Sequence, residues 1–539
     1  MNRLSRLLAV LFACCLLLAL SQCGRRGSPT GGPKDTTPPV LITAEPPIGT
    51  TQFKAERVRL YFDEYIKLQN TDKQLIISPP LKYPAEITPM GGASKYVEVK
   101  FSDTLLENTT YSINFGQSVT DNNEGNPYNF LNYVFSTGDK VDSLSLSGVV
   151  ADAFNLKPDA FISVMLYRID SVYTDSTVYK SPPYYLTNTL DSAVIFKLNN
   201  LKAGKYKLIA LKDDAKNNLF NPSADKIGFV QDTISLPTEE TYVLRLFKES
   251  PPYSARPPSF SASNRILFGY SGGKAPEISL LTPKPDSVTT KITPIYGKDS
   301  LNFWFTAWKT DSLQFAVKAP EQLKRVDTFT VKPLKIKADS LLLSWNIRNE
   351  AVPIDSIYLS SSLPLVSLDT AFISMMDQDS LKVSVGVKLD TLNSRVFFDF
   401  KKEPEQSYSL EMLPGALTDF FGGINDSIAL KWRIRGASEF GILKFSIDGA
   451  VEFPVLVELT DSRSNLIVSK IVNSKDVISF NWLKPETYRI RVIFDKNRNG
   501  KWDSGNFLEQ RQPERVLHYP APIEIRANWE KVETFTIQD

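Results

Sequence analysis

The stretch VRLYFDEYIKL, residues Val58 to Leu68, begins with a strict alternation of apolar and polar side chains. Successive side chains of a β-strand point to opposite faces, so this pattern predicts a strand with one face in a core. The same period of two recurs from Tyr111 to Phe115, and runs rich in Asn, Asp, Gly and Pro separate such segments. Beyond the first 22 residues we find no long segment with helical periodicity, so we predict an all-β protein.

Length and composition indicate several domains. A chain of 539 residues is too long for one hydrophobic core, and its hydrophobic fraction of 42% is enough to fill several. The three cysteines are Cys14, Cys15 and Cys23, so no disulfide or thiolate metal site is expected further along the chain.

The scarcity of histidine and cysteine argues against most enzyme classes. Zinc hydrolases and Cys-His or Ser-His-Asp nucleophiles need imidazole or thiolate groups. The single histidine is His518, which we expect on the surface at a strand end. Adjacent carboxylates such as Asp63 and Glu64 point to opposite faces of a strand and cannot flank one glycosidic bond. The sequence therefore predicts a protein that is not an enzyme and has no catalytic cofactor.

The N-terminus is typical of an exported protein. Arg3 and Arg6 precede an apolar run of 14 residues from Leu7 to Leu20, which is too short to span a bilayer and fits a signal peptide. The following residues, LSQC with Cys23 last, resemble the bacterial lipobox. This resemblance implies cleavage after residue 22 and acylation of Cys23, so that lipid would hold the protein to a membrane. Cys14, which follows Leu11-Phe12-Ala13, is an alternative acceptor, although cleavage there would split the apolar run. An ordinary secretory signal or a short core helix is the other alternative.

The charge of the mature chain gives no reason to expect nucleic acid as a partner. Removal of residues 1–22 takes away Arg3 and Arg6 and leaves 60 basic and 60 acidic residues. A net charge of zero also gives no electrostatic attraction to anionic lipid. Residues 23–37, rich in Gly, Pro, Ser and Thr, are predicted to form a flexible tether.

Two regions resemble known β-sandwich families. The segments DTTPPV from Asp35, VRLYFDEYIKL and TYSINFGQSVTDNNEGNP from Thr110 resemble the bacterial Ig-like domain. The segments SGVVADAF from Ser147 and FKLNNLKAGKYKLIALKDD from Phe196 resemble the transthyretin-like or carboxypeptidase-regulatory-like sandwich, in which Gly204 and Tyr206 would mark a turn and a strand.

Internal repeats extend this organisation to the second half of the chain. LKPETYRIRVIFDKN, from Leu483, aligns without a gap on LKAGKYKLIALKDDA, from Leu201, and sets Tyr488 on Tyr206. SYSLEMLPGALTDFFGG, from Ser407, aligns more weakly on the segment that begins at Thr110. The predicted units are a lipoprotein signal peptide (1–22), a tether (23–37), an Ig-like domain (38–139), a transthyretin-like sandwich (140–250), a β spacer of unassigned fold (251–338), a second Ig-like domain (339–439) and a second transthyretin-like sandwich (440–539).

The segment FDKNRNGKWD, Phe494 to Asp503, has the spacing of a calcium loop. Side-chain oxygens on alternate residues can converge on one ion, and Gly500 permits the sharp turn. The alternative is a Gly-Asn turn held by Asx hydrogen bonds, which needs the same residues. The predicted ligands of a structural calcium ion are Asp495, Asn497, Asn499, Lys501 through its backbone carbonyl, Asp503 and Glu509.

The aligned loop of the second unit has fewer oxygen ligands. Asp213, Asn217 and Asn221 keep three of the positions, so we expect weaker calcium binding there. An aromatic residue near the end of each loop, Phe220 or Trp502, is expected to pack the loop on its own domain.

A short tripeptide, Asp followed by Ser or Thr and then by Ala, Ile, Leu, Val, Met or Thr, recurs 16 times. It resembles the O-glycosylation acceptor of exported Bacteroidetes proteins. The alternative is local structure, in which Asp ends a turn and the third residue begins a strand.

These features predict a non-catalytic, lipid-anchored protein of a Bacteroidetes-type outer membrane, facing the periplasm or the cell surface. It would act as a structural or binding module, with an envelope protein or a glycan as its partner. A surface glycan-binding or adhesion lipoprotein is the alternative, and an envelope hydrolase is a weaker one because no convergent acids are evident.

Overall fold

The computed structural model describes residues 34–189, 194–320, 323–449 and 451–538. Its regular structure is almost entirely β-strand, so the all-β prediction is confirmed. The described helical segments are short: an α-helix at Thr71–Gln74 and 3₁₀ turns at Asp175–Tyr179, Thr370–Phe372 and Ala437–Glu439. The signal peptide and Cys23 lie outside the described residues.

The first sandwich contains the alternating stretch from which the fold class was predicted. Its strands are β1 Leu41–Glu45, β2 Arg57–Leu68, β3 Ile76–Ser78, β4 Glu86–Thr88, β5 Ser94–Lys100, β6 Thr110–Gly116, β7 Val119–Asp121 and β8 Leu131–Ser136. One sheet has the order β1-β2-β5-β4 with β7 on β2, and the other has the order β3-β6-β8. Val58, Leu60 and Phe62 of β2 all lie in the core, as the alternation predicts.

The second sandwich has one sheet with a parallel pair. Its strands are β9 Leu144–Asp152, β10 Ser163–Arg168, β11 Tyr185–Asn188, β12 Ile195–Leu201, β13 Gly204–Lys212, β14 Lys226–Phe229, β15 Ile234–Leu236 and β16 Thr241–Leu246. The three-stranded sheet is β12-β9-β16, in which β16 runs parallel to β9. The other sheet is β11-β10-β13-β14, with β15 on β13.

The spacer, whose fold the sequence left unassigned, is a third sandwich. Its strands are β17 Ser254–Ala255, β18 Ser259–Ala262, β19 Arg265–Ser271, β20 Glu277–Leu280, β21 Thr290–Pro294, β22 Ser300–Phe305, β23 Leu313–Lys318 and β24 Val326–Val331. Its sheets are β17-β19-β22-β21, with β18 on β19, and β20-β23-β24. Phe303 and Phe305 belong to its core, whereas Trp304 faces the fourth sandwich, 6.3 Å from the ring of Phe421.

The fourth sandwich repeats the strand order of the first. Its strands are β25 Leu343–Trp345, β26 Glu350–Ala351, β27 Ile357–Ser361, β28 Leu365–Leu368, β29 Ile373–Asp377, β30 Gly386–Asp390, β31 Arg395–Asp399, β32 Ser407–Met412, β33 Leu417–Asp419 and β34 Ile428–Ile434. The order β25-β27-β31-β30 matches β1-β2-β5-β4, and β29-β32-β34 matches β3-β6-β8. Asp121 and Asp419, paired by the weaker alignment, are both buried and accept backbone N–H groups of the turn that follows.

The fifth sandwich repeats the second. Its strands are β35 Gly441–Gly449, β36 Val455–Asp461, β37 Leu466–Val472, β38 Ile478–Leu483, β39 Thr487–Phe494, β40 Val516–His518, β41 Ile523–Glu524 and β42 Glu530–Ile537. Its sheets are β38-β35-β42, with β42 parallel to β35, and β37-β36-β39-β40 with β41 on β39. The hydroxyls of Tyr206 and Tyr488 each donate to a carbonyl four residues earlier, at 2.9 and 3.0 Å. The predicted duplication is therefore confirmed in both topology and detail.

In the part of the chain that the structure describes, no helix has the length and apolar character needed to cross a membrane.

Candidate functional site

The predicted calcium loop follows β39 and is organised around one buried carboxylate. Asp495 is only 2% exposed. Its two oxygens accept the backbone N–H groups of Asn499 at 3.0 Å and Gly500 at 2.8 Å. Gly500 has a φ of +76°, in the left-handed region that glycine adopts without strain. The turn thus wraps around the Asp495 side chain.

A second carboxylate closes the loop from its other end. One oxygen of Asp503 accepts the side-chain amides of Asn497 and Asn499, each at 2.5 Å. The backbone N–H of Lys501 donates to the side-chain oxygen of Asn499 at 3.0 Å. Five of the six predicted ligand residues are therefore gathered in one loop.

Glu509, the sixth predicted ligand, has its side chain 63% exposed and forms an ion pair with Arg511 at 3.2 Å. The carboxylate that contacts the loop belongs to Glu514, which sequence reasoning missed. Glu514 accepts the N–H groups of Lys496 at 2.9 Å and Asp503 at 3.1 Å. Burial raises the pKa of Glu514, and the nearby charges of Asp503 and Asp495 raise it further.

Metal binding at this loop stays a prediction. Within the described ranges, no group of three or more His, Cys, Asp or Glu side chains is placed to hold a metal ion. The hydrogen bonds around Asp495 are also those expected of an Asx-type turn, so the loop already has a structural role as a clip at the end of β39.

The second sandwich contains the same clip in a shorter form. Asp213 accepts the N–H of Asn218 at 2.6 Å. Asp225 accepts the N–H groups of Asp214 and Asn221, at 3.2 and 2.8 Å, and so takes the place that Glu514 has in the fifth sandwich. Burial raises the pKa of Asp213, and the charge of Asp225 adds to this effect.

The spacing of these bonds reveals an insertion. Asp225 lies 4 residues after Asn221, whereas Glu514 lies 11 residues after Asp503. The fifth sandwich therefore carries a longer connection at this point, residues 504–513, which we call the clamp loop. A gap in the repeat alignment just after Asp503 is the sequence signal that could have indicated it.

The clamp loop packs on the second sandwich. Phe507 is fully buried there, with its ring 5.2 Å from Phe229 and nearly perpendicular to it at 81°. It belongs to the same hydrophobic cluster as Phe247. The backbone N–H of Phe507 donates to the Glu249 carboxylate at 2.5 Å, and the hydroxyl of Ser504 donates to the backbone carbonyl of Lys248.

Polar side chains complete this contact. The ammonium group of Lys207, which is 5% exposed, donates to the side-chain oxygen of Gln510 at 2.7 Å and to the carbonyl of Gln231 at 2.8 Å. Gln512 donates to the carbonyl of Phe229 at 2.9 Å. Burial lowers the pKa of Lys207 and raises that of Glu249. Two ionisable groups are thus committed to the contact between sandwiches.

Two sequence-based expectations are corrected at this junction. Trp502 does not pack on its own sandwich alone, because its ring lies 4.8 Å from that of Phe154 in the second sandwich. His518 is not on the free surface: it is half-buried, with Nε2 3.1 Å from the carbonyl oxygen of Phe154. Phe220, in contrast, contacts Tyr179 of its own sandwich, as expected.

Six of the recurrent Asp-Ser/Thr tripeptides lead directly into strands, those at Asp142, Asp232, Asp299, Asp311, Asp355 and Asp426. In the described part of the chain, the Ser or Thr in each of them is exposed or partly exposed. At four sites the Asp accepts the N–H two residues later, as the turn interpretation requires: Asp35, Asp170, Asp369 and Asp390. Exposure leaves these hydroxyls accessible for modification, and their glycosylation stays a prediction.

Comparison with known proteins finds one family match, in the first sandwich. Residues 35–137 match the family model of the bacterial Ig-like domain. The matched residues cover β1 to β8, and the match confirms the resemblance seen in the sequence for that region. No curated protein matches the chain.

Three solved structures illustrate a remote likeness to this chain. Domains 1–6 of the surface layer protein SbsC are 11% identical over 87% of this chain and 67% of that chain, with a TM-score of 0.16. The Bacillus anthracis TIE protein is 10% identical over 94% and 75%, with a TM-score of 0.14. The major pilin subunit of Bacillus cereus is 12% identical over 74% and 99%, with a TM-score of 0.14. These scores carry no argument about function.

Proposed function

We propose that this chain is a non-catalytic, lipid-anchored protein of a Bacteroidetes-type outer membrane, which acts as a structural or binding module. The observation that carries the proposal is the clamp between the second and fifth sandwiches. Lys207 and Gln510 are separated by 303 residues along the chain and yet share a hydrogen bond of 2.7 Å. A chain braced in this way is suited to hold its domains in one arrangement.

Further support comes from how the charged groups are used. The buried carboxylates Asp121, Asp419 and Asp495 accept backbone N–H groups of their own turns. Glu249 and Lys207 are engaged between sandwiches. Groups with such structural partners are poorly placed to serve as general acids or bases, which makes an envelope hydrolase the weaker proposal.

Lipid anchoring is tested by acyl labelling of living cells with an alkyne fatty acid, followed by separation of inner and outer membranes by density. The wild-type chain is expected to carry label and to sediment with the outer membrane. Cys23→Ser is expected to lose the label and the membrane association, because cleavage before Cys14, the other candidate acceptor, would split the apolar run of the signal peptide. Cys14→Ser is the matched control and is expected to behave as the wild type. Retention of label by Cys23→Ser would refute the anchor.

The direction that the anchored chain faces is tested by protease treatment of intact cells. Digestion of the chain before lysis indicates the cell surface, and digestion only after lysis indicates the periplasm. Binding of a surface glycan is the second candidate function, and one groove in the fifth sandwich favours it.

A further inference from the structure

An open groove lies where the fifth sandwich meets the fourth. It is formed by the start of β35, the end of β38 and the start of β42, and its volume is about 460 Å³. This is within the range of small-molecule sites, which combine apolar surface with a few polar groups. The residues that line it include Phe440, Trp482 and Trp529, the two asparagines Asn481 and Asn528, and Glu530.

A β-bulge directs two of these side chains out of the sheet. Gly441 pairs with Leu483, but Leu443 pairs with Phe480, so β38 has one extra residue at Asn481 and Trp482. Trp482 has a φ of +59°, which is strained for a bulky aromatic residue. The bulge moves Leu483 into the core and leaves Trp482 partly exposed against the groove.

The second sandwich has a different residue at the position of Trp482. Its ladder has the same bulge, since Leu198 pairs with Leu146 and Leu201 pairs with Leu144. Asn200 occupies the equivalent position with the same φ of +59°. Asn tolerates this conformation well, and its side chain donates to the carbonyl of Asp142 at 3.0 Å. The fifth sandwich therefore has a tryptophan where its own duplicate has the residue that the backbone favours.

Trp529 supplies a second aromatic surface on the same groove. Its side chain is 65% exposed, although its backbone is fixed. The carbonyl of Trp529 accepts the N–H of Ile442 at 2.9 Å, and the preceding Asn528 donates its N–H to the carbonyl of Phe440 at 2.8 Å. The guanidinium group of Arg526 lies 5.9 Å from the centroid of the Trp529 ring. The exposed ring contributes little to the core and adds aromatic surface to the groove that Trp482 also lines.

The polar groups of the groove indicate the charge of the ligand. Glu530 is paired with Lys444 at 2.9 Å, so its negative charge is largely balanced. The amides of Asn481 and Asn528 each offer donors and an acceptor, which matches vicinal hydroxyl groups. A flat aromatic ring can stack on the C–H face of a sugar ring. The neighbouring amides can then form hydrogen bonds with the hydroxyl groups at the edge of that ring.

We propose that this groove binds a neutral chain of pyranose sugars, with Trp482 and Trp529 as the stacking surfaces. The inference deepens the proposed function, because it names the ligand class of a binding module. It is independent of the lipid anchor, so the two are tested by different measurements.

The test is isothermal titration calorimetry of the detergent-solubilised full chain with maltohexaose, laminarihexaose and chitohexaose. Saturable binding of at least one of these sugars is expected. Trp529→Ala is expected to weaken that binding by about tenfold or more, as for an aromatic anchor at an interface. Tyr296→Ala, at a 72% exposed aromatic residue of the third sandwich, is the matched control and is expected to leave binding unchanged.

Trp482→Asn separates a binding role from a structural one. It introduces the residue of the second sandwich, so we expect weaker sugar binding together with an unchanged or higher melting temperature. A loss of thermal stability in this variant with sugar binding intact would overturn the role of Trp482. Absence of saturable heat with all three sugars would overturn the proposal and leave the anchoring result standing. A change of sedimentation in Trp529→Ala without a change in sugar affinity would assign the groove to protein association instead.

Discussion

Phe507 of the fifth sandwich packs edge-on against Phe229 of the second, with their ring centroids 5.2 Å apart. These two residues lie far apart along the chain, and the third and fourth sandwiches lie between them in sequence. Their contact makes the second and fifth sandwiches neighbours and joins the two copies of the duplicated domain. Phe507 belongs to the clamp loop, and the second sandwich, on which this loop packs, has no equivalent of the loop.

The first prediction concerns the clamp. Phe507→Ala removes a fully buried ring and is expected to lower the free energy of unfolding of the clamped pair by about 3–5 kcal/mol. Urea denaturation followed by tryptophan fluorescence measures this change. Leu508→Ala, at a neighbouring side chain that is 56% exposed, is the control and is expected to change stability by less than about 0.5 kcal/mol. Equal effects of both substitutions would show that Phe507 does not anchor the loop.

The second prediction concerns pH. Burial lowers the pKa of His518 from its ordinary value of 6.5, and the charges of Arg491 and Arg489 lower it further. The hydrogen bond with the Phe154 carbonyl and the charge of Asp152 oppose this shift without cancelling it. The folded chain therefore prefers the neutral ring. The stability that results is fully present above pH 6.5 and is lost as the pH falls through 6.5 toward the lower folded-state pKa.

Thermal melts between about pH 7.5 and about pH 5 test this expectation. Because His518 is the only histidine of the chain, no other imidazole titrates in this pH range. On acidification, the melting temperature of the wild type is expected to fall further than that of His518→Gln. Parallel pH profiles for the two proteins would contradict the linkage.

The third prediction is calcium binding by the loop from Asp495 to Asp503. Calcium that binds only the native state must raise the melting temperature, and a chelator must reverse the shift. Asp495→Asn is expected to abolish the shift. Asp461→Asn is the control, because Asp461 accepts the N–H groups of Arg463 and Asn465 in another turn of the same sandwich. The prediction is wrong if millimolar calcium leaves the wild-type melting temperature unchanged.

The fourth prediction concerns the tyrosine hydroxyls shared by the duplicated sandwiches. Tyr206→Phe and Tyr488→Phe each remove one hydrogen bond to a backbone carbonyl and keep the buried ring. Each is expected to lower the free energy of unfolding by about 1 kcal/mol, measured by urea denaturation. Tyr65→Phe, at a 58% exposed residue, serves as the control. A large loss of stability for only one of the two variants would mean that the two tyrosine hydrogen bonds are not equivalent.

Much of the architecture could be predicted from local patterns. The alternation from Val58 to Phe62 predicted a strand with one buried face, and those residues do lie in β2. The gapless alignment of Tyr488 on Tyr206 predicted a duplicated domain, and both hydroxyls make the same bond. These predictions succeeded because side-chain periodicity and turn chemistry act over a few residues, within reach of a sequence pattern.

The residues of the loop site were predicted only in part, because only those close together in sequence form a local pattern. Asp495, Asn497, Asn499 and Asp503 are close in sequence and are gathered by one turn. Glu514 was missed because the clamp loop separates it from Asp503 by 11 residues. The strain at Trp482 was also hidden, since it depends on a bulge that Leu443 and Phe480 define across two strands.

By itself, the sequence determined the all-β class and the duplication of two sandwiches, because each follows from patterns among neighbouring residues. Only the tertiary structure decided that Phe507 enters the second sandwich, that His518 is half-buried and that Trp482 and Trp529 share a groove. The physical reason is that these contacts join residues from separate strands and domains. Such contacts are set by how whole sheets pack and not by the order of neighbouring residues.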